Sequence, residues 1–372
     1  MFSALDTRFM QRAIELARRG RYTNHPNPRV GCVIVQGERI VGEGWHRKWG
    51  EPHAEVRALE AAGQAARGAT AYVTLEPHSY HGRTPPCTSA LIRAGVGRVV
   101  CGALDPNPKV HGDGVRQLET AGVAVQTGLL ESEVRALNPG FEKRMRTGVP
   151  RVIVKIAASL DGRVALANGA SRWITGEDAR ADVQRLRAEA SAVLTGVETV
   201  LADDPRLNVR DPSIEMLGRQ PLRVVLDSRL RTPSTAQMLS LPGQTLIFTG
   251  AQHRWFAQPE VEVVRGELNS NARLKLAAVL RELGQRQCND VLVEAGATLS
   301  GAFIEQGLAD ELIVYVAPIM LGPHARSMAD LPLLERLQDA PRYALLSAER
   351  IGGDLKLRLR PTAQIAAGVA AT

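Results

Sequence analysis

Two short segments hold the side chains best able to do chemistry, and both lie early in the chain. His53-Ala54-Glu55-Val56 sets an imidazole two residues before a carboxylate. Residues two apart on a regular helix stand about 200° apart, so His53 and Glu55 share no helix face. They converge only over the N-terminal end of a helix, toward which Cα–Cβ bonds tilt. Pro52, directly before His53, suits such a start. The second segment, TLEPHSYHGRTPPC from Thr74 to Cys87, follows a strand-like run and offers His78, His81 and Cys87. A catalytic zinc takes three protein ligands and keeps a fourth position for water. His53 as ligand, Glu55 as proton carrier and donors from the second segment would together make a hydrolytic metal centre.

Zinc deaminases carry H-x-E followed by a ligand segment containing Pro and Cys, with the Glu as general acid/base rather than ligand. Here Pro77 and Cys87 are in place, and position 78 is His. Taken alone, H-x-E is common, and either histidine of HSYH is able to serve as a loop cap. The set as a whole points to metal: H-A-E-V opening a helix, a strand, then T-L-E-P and G-R-T-P-P-C opening another helix.

A second constellation lies far downstream. DVLVEAGATLSGAF, Asp290 to Phe303, reads as a strand, a glycine turn and a helix start. Backbone N–H groups at a helix N-terminus make a ready anion site. The stretch does not match G-x-G-x-x-G, and a strand–glycine–helix turn is often plain architecture. Glu294 at the strand end is better placed for chemistry than for packing.

The elements that must position these groups alternate in type. Thr7 to Arg19 is helical in pattern, with Thr7 as N-cap and Gly20 as stop. RVGCVIV and RIVGEGW read as strands joined by a turn at Gln36–Gly37. His53 to Ala66 is predicted as a helix, and strands and helices then alternate to VAVQTG. That pattern predicts an α/β fold with a largely parallel sheet covered on both faces. After RTGVPR the pattern restarts, so a boundary falls near Gly148, giving domains 1–148 and 149–361. SAVLTG, LRVVLDS, TLIFTG, DVLVEAG and ELIVYVAP follow RVIVKIAAS as strands of the second domain. Residues 362–372 form a small-residue tail expected to be disordered.

Composition narrows the function classes. The 372 residues are 44% hydrophobic and 23% charged, ordinary for a globular protein long enough for two domains. No apolar run reaches the roughly 18–20 residues of a membrane span. The N-terminus reads as an amphipathic helix rather than a signal peptide. Four scattered cysteines argue against a disulfide framework and for the reducing cytoplasm. A net charge of +7 invites a nucleic-acid partner, but the basic residues are dispersed and aromatics are only 4%, so small anionic ligands explain it equally well.

The motifs NPRVGCVIV, GEPHAEVRAL, YVTLEP, GRTPPC, DPNP, SLDGR, WIT, LADDP, VLVEAG and APIMLG follow one another between Arg12 and Arg360. Together they resemble the bifunctional riboflavin-biosynthesis deaminase–reductase family. The resemblance implies an N-terminal cytidine-deaminase-like three-layer domain and a C-terminal dihydrofolate-reductase-like α/β domain. It implies Zn2+ held by His53 and Cys87, with Glu55 as proton shuttle. Asn27, His46, Arg83, Asp105 and Asn107 would hold the pyrimidine and its ribose phosphate. The implied first reaction is attack of zinc-activated water on the amino-bearing ring carbon, with ammonia leaving.

The resemblance implies NADPH for the second domain, delivering hydride to the ribosyl C1 to give a ribityl product. Matching positions for NADPH are Ala157, Trp173, Thr199, Asp203, Ser228 and the turn Gly296, Ala297, Thr298, Leu299, Ser300, Gly301 and Ala302. Those for substrate are Ser171, Arg187, Leu207, Arg210 and Glu294, the two arginines suiting a phosphate. Lys155, Asp203 and Glu294 are candidates for polarising or protonating the opening ribose ring, although Asp203-Asp204-Pro205 also reads as a helix-ending turn. A homodimer is expected, and neither a nucleic-acid partner nor a membrane.

The chain departs from the family pattern at two positions: His78 stands where Cys is usual, and Tyr80 where His is common. Either His78 replaces the thiolate in a His2Cys site, or the first domain has lost zinc and only the reductase works. A tRNA-editing kind of deaminase would use the same H-A-E logic but has no use for an NADPH fold. Zn–N is shorter than Zn–S, about 2.0–2.1 Å against about 2.3 Å, and Nδ1 is nearer the backbone than Nε2. Ligation by His78 is therefore expected through Nδ1.

Overall fold

The computed structural model describes residues 1–82, 84–252 and 259–362. The expected tail at 362–372 therefore lies, apart from Thr362, outside the described residues. The Cα positions group into two compact units that divide between Gly148 and Val149.

The first unit opens with α1 (Ala4–Arg18). Its N-cap is Ser3, not Thr7: Ser3 Oγ accepts from Asp6 N at 3.1 Å, and Asp6 Oδ2 accepts from Ser3 N at 2.8 Å. Asp6 prevails because it also takes Tyr72 Oη at 2.7 Å and Arg98 Nη1 at 2.8 Å, anchoring the first turn to the sheet. Strands β1 (Gly31–Gln36) and β2 (Arg39–Trp45) form a hairpin whose turn is Gly37–Glu38, one residue later than expected. α2 (Ala54–Ala62), β3 (Thr70–Leu75), α3 (Cys87–Ala94), β4 (Arg98–Ala103), α4 (Asp113–Thr120), β5 (Ala124–Thr127), α5 (Glu131–Arg135) and α6 (Pro139–Thr147) follow.

The sheet order is β2-β1-β3-β4-β5. It is not largely parallel. β3, β4 and β5 are parallel, but β1 is antiparallel to both its neighbours, since the tight hairpin sends β2 straight back. Alternation along β1 divides the interior into two layers. Val33 and Val35 pack with Phe9, Met10 and Ala13 of α1 and Phe141 of α6. Cys32 and Ile34 pack with Ala54 and Ala58 of α2, Leu91 of α3 and Leu118 of α4. Three layers result. Gly44 matters to the site: a Cβ there would stand 2.3 Å from Ala54 O, so its bare backbone lets the start of α2 lie against β2.

The second unit contains β6 (Arg151–Ser159), β7 (Arg163–Ala165), α7 (Glu177–Glu189), β8 (Ala192–Gly196), α8 (Val197–Asp203), β9 (Leu222–Leu226), β10 (Thr245–Thr249), β11 (Val261–Arg265), α9 (Leu276–Gln285), β12 (Asp290–Glu294), α10 (Ala297–Glu305), β13 (Glu311–Ala317), β14 (Arg326–Ser327), β15 (Tyr343–Ile351) and β16 (Asp354–Pro361). Nine strands form one sheet, β11-β10-β9-β8-β12-β6-β13-β16-β15. It is parallel from β11 to β13, and only β16 and β15 run antiparallel. Apolar side chains leave both faces of β9: Val224 and Leu226 join one cluster with α9 and α10, and Val225 joins another with α8. Strands buried on both faces read as continuous apolar runs, which explains why the parallel strands stand out in the sequence.

Candidate active sites

In the first unit two helix starts bring the metal-type donors together. His53 is the N-cap of α2 in extended conformation (φ −71°, ψ 171°), which swings its ring over the helix end. Cys87 is the first residue of α3, and His78 lies in the segment between β3 and that helix. Their donor atoms all lie within 4.8 Å of one another. His78 Nδ1 stands 3.1 Å from Cys87 Sγ, and Sγ stands 3.4 Å from His53 Nδ1. Nitrogen and sulfur donors around one tetrahedral zinc stand about 3.3–3.6 Å apart, so the set fits such an ion. Both imidazoles face the thiol through Nδ1. His81 is exposed and outside the cluster.

The protonation states suit metal binding. Burial, with His46 and His78 beside it, pushes His53 down to about 3, and burial also lowers His46 and His78. Neutral rings keep a lone pair for a cation. Burial and then the Glu55 carboxylate push the Cys87 thiol well up, so a thiolate there needs a cation among these donors. Glu55 is 3% exposed, and burial raises it to about 7.

The substrate candidates fall into two groups. His46 is buried, its ring 5.0 Å from that of His53, and its Nε2 is 3.1 Å from Asn27 Nδ2. Asp105 and Asn107 bond to each other, Asn107 N donating to Asp105 Oδ1 at 2.8 Å. Arg83 lies outside the described residues. Thr84, which drew no attention in the sequence, places Oγ1 3.4 Å from His53 Nε2, on the ring edge away from the thiol.

In the second unit the focus is Glu294, the last residue of β12, which pairs in register with Lys155 of β6. Arg187 of α7 forks onto it, Nε to Oε1 at 2.6 Å and Nη2 to Oε2 at 3.0 Å, and Lys155 Nζ lies 3.4 Å from Oε2. Burial alone would raise this carboxyl, but Arg187 and Lys155 outweigh burial and hold it at about 2. Arg187 Nη1 also donates to Asn208 O at 3.2 Å, so three of the five N–H donors of this guanidinium are engaged within the protein.

Arg210 is exposed, and partial burial with the charges of Arg187 and Arg206 lowers its pKa. Arg206 was not anticipated; nothing in its local sequence marks it. Asp203 ends α8, and among the described residues its carboxylate forms no ion pair with Lys155 or any other cation. Leu207 is buried with φ 51°, Ser171 is half-buried, and Trp173 is exposed beside Arg180, whose guanidinium carbon is 4.6 Å from the ring centroid.

Ala157 lies on β6 and Thr199 on α8, both half-buried. Ser228 Oγ accepts from Leu274 N at 3.3 Å. The stretch expected as a turn is mostly helix: Gly296 is the N-cap, and Ala297, Thr298, Leu299, Ser300, Gly301 and Ala302 begin α10. Thr298 Oγ1 donates to Asp330 Oδ2 at 2.7 Å.

A three-layer unit with a His/His/Cys cluster at two helix starts beside a buried glutamate, followed by an α/β unit with a caged carboxylate, defines a two-activity enzyme of deaminase-plus-reductase type. The comparisons agree. Residues 3–103 match the cytidine and deoxycytidylate deaminase zinc-binding region, and residues 150–357 match the RibD C-terminal domain. The riboflavin biosynthesis protein RibD of Escherichia coli (strain K12) is 50% identical over 371 residues, covering 95% of this chain and 99% of that protein. The Haemophilus influenzae protein of the same name is 48% identical, covering 97% of this chain and 98% of that one. A solved structure of Acinetobacter baumannii RibD superposes with TM-score 0.89 at 47% identity, covering 96% of this chain and 99% of that one. The chain belongs to the RibD family: it is a riboflavin-biosynthesis deaminase plus reductase with a cytidine-deaminase-like first domain. No helix among the described residues is long and apolar enough to cross a membrane.

Proposed function

We propose that the first unit hydrolytically deaminates a phosphoribosylamino-diaminopyrimidinone and that the second reduces the product's ribosyl group to ribityl with NADPH. A similar chain from Thermotoga maritima, 34% identical with TM-score 0.86, is titled a diaminohydroxyphosphoribosylaminopyrimidine deaminase and 5-amino-6-(5-phosphoribosylamino)uracil reductase. The observation that carries the first half is the convergence of His53 Nδ1, His78 Nδ1 and Cys87 Sγ. In this reading all three hold zinc, with His78 in place of a thiolate. When bound, zinc acts as a Lewis acid that makes water a nucleophile near neutral pH. Glu55, poised near 7, takes a proton from the attacking water and gives it to the departing amino nitrogen. The ring C–N bond breaks, a C–O bond replaces it, and ammonia leaves. His46, Asn27, Arg83, Asp105 and Asn107 hold the substrate.

In the second unit NADPH, when bound, would supply the hydride that the ribosyl C1 takes up. The C1–O4′ bond opens, and O4′ takes a proton. Glu294, held as an anion, orients Lys155 and Arg187, and Lys155 gives O4′ its proton. Arg210, with Arg206, meets the phosphate, while Ala157, Trp173, Thr199, Asp203, Ser228 and the start of α10 line the cofactor's place. The enzyme works in the cytoplasm, consistent with the burial of all four cysteines. A homodimer fits the apolar Leu345 and Leu346 exposed on the edge strand β15.

The test is metal analysis of the purified full-length protein with parallel assays of ammonia release and NADPH oxidation. One equivalent of zinc and ammonia release are expected. No metal and no ammonia, with NADPH oxidation retained on deaminated substrate, would leave a reductase alone.

A further inference from the structure

Glu76 immediately follows β3, its N–H continuing the sheet to Ala103 O at 3.0 Å. Its side chain is 3% exposed, and no cation pairs with it among the described residues. Instead it collects four backbone N–H groups. Oε2 accepts from Asp105 N at 3.1 Å and Gly112 N at 3.0 Å. Oε1 accepts from Gly114 N at 3.0 Å and Val115 N at 3.3 Å. α4 has Gly112 as its N-cap and therefore no cap of its own; Glu76 caps it from another element. The approach needs Gly114, where a Cβ would stand 2.1 Å from Pro77 O. One carboxylate thus bolts together two segments far apart in sequence. One runs on two residues to His78, and the other carries Asp105 and Asn107.

We infer that Glu76 is a positioning residue that fixes the pyrimidine-holding loop at Asp105–Asn107 relative to the ligand segment at His78. Substrate binding in the first unit depends on it although it touches no reacting atom; the inference rests on the deaminase reading above. Glu76→Gln keeps shape but turns an amide N–H2 toward backbone N–H groups, so two of the four lose their acceptor and face a donor. The loop loosens at Asp105, while His53, Glu55 and Cys87, at the starts of α2 and α3, keep their places.

The experiment compares wild type and Glu76→Gln, full-length and zinc-loaded, by ammonia-release kinetics, zinc content and amide hydrogen exchange. The KM for the pyrimidine substrate is expected to rise about 10–100-fold, the size of lost hydrogen bonds to a charged acceptor, with kcat and zinc content nearly unchanged. Exchange should quicken across 105–115 and nowhere in the second unit. An unchanged KM, or kcat and zinc falling together at constant KM, overturns the inference, since a merely structural residue gives those patterns. If the variant does not fold, wild-type exchange decides. First-turn amides of a helix ordinarily exchange fast for want of an intrahelical partner. Slow exchange at Asp105, Gly112, Gly114 and Val115 supports the bolt, and fast exchange there removes it. A wild type that releases no ammonia sinks the deaminase reading and this substrate-holding role with it. A wild type that does, beside an indifferent Glu76→Gln, sinks the inference alone.

Discussion

Glu55 and Glu294 are both almost wholly buried, at 3% and 8% exposure, yet they are driven in opposite directions. Burial raises Glu55 to about 7, with only its own N–H and Cys87 to oppose the shift. Burial also pushes on Glu294, but Arg187 and Lys155 hold it at about 2. Depth therefore does not set the charge of a buried carboxyl; the neighbouring cations do. One unit keeps a carboxyl that gives and takes a proton near neutrality. The other keeps a carboxylate held ionised at neutral pH by its two cations, with the Lys155 ammonium 3.4 Å away.

The contrast breaks most visibly under Glu55→Gln. Ammonia release should fall about 10²–10⁴-fold, the usual worth of a general acid/base, while NADPH oxidation on deaminated substrate is unchanged. Stability should barely move, because the amide resembles a carboxyl that already holds its proton part of the time at pH 7. Glu294→Gln should act the other way. Removing one member of a buried ion cluster costs about 3–5 kcal/mol, read as a lower melting temperature of the second unit. Sugar reduction is lost and NADPH binding nearly kept. Equal destabilisation by both variants would erase the distinction. Arg187→Ala should reproduce the stability loss of Glu294→Gln. Arg210→Ala should instead raise the KM for reduction about 10–100-fold at unchanged melting temperature, because exposed charged hydrogen bonds to a phosphate serve binding. If Arg187→Ala alters KM alone, Arg187 serves the phosphate rather than the stability of the unit.

The same contrast marks how far the sequence could be read. His53, Glu55, His78 and Cys87 lie within one helix–strand–helix passage, so their spacing and the helix starts that gather them are local properties. The second unit's strands were legible too, as apolar runs buried on both faces. What escaped was long-range. Arg187 meets Glu294 across 107 residues, so no local pattern reveals that ion pair. Ser3 prevailed over Thr7 as helix cap because Asp6 finds Tyr72 and Arg98 far along the chain. β15 and β16 lack continuous apolar runs, and their hairpin was missed. The antiparallel placement of β1 followed from a hairpin that was seen but not carried through to the sheet.

The smallest effect, and a second test of depth against partners, is in the pH response of stability. Asp105 is 6% exposed, and burial raises it from 3.8 to about 7, with Glu76 and Glu142 adding to the rise and Asn107 N–H and His111 opposing it. Folded Asp105 thus holds a proton that the unfolded chain releases between pH about 4 and 7, so its contribution is full below about 4 and lost as pH rises through 7. Glu294, lowered from 4.5 to about 2, does the reverse: its contribution is full above 4.5 and lost as pH falls toward 2. Mild acid should therefore favour wild type over Asp105→Asn in the first unit, by at most about 1.4 kcal/mol per pH unit. Denaturant unfolding of both proteins between pH 8 and 5 measures the difference. Curves that stay parallel would mean that burial does not raise Asp105, and that this carboxyl is ionised in the folded protein.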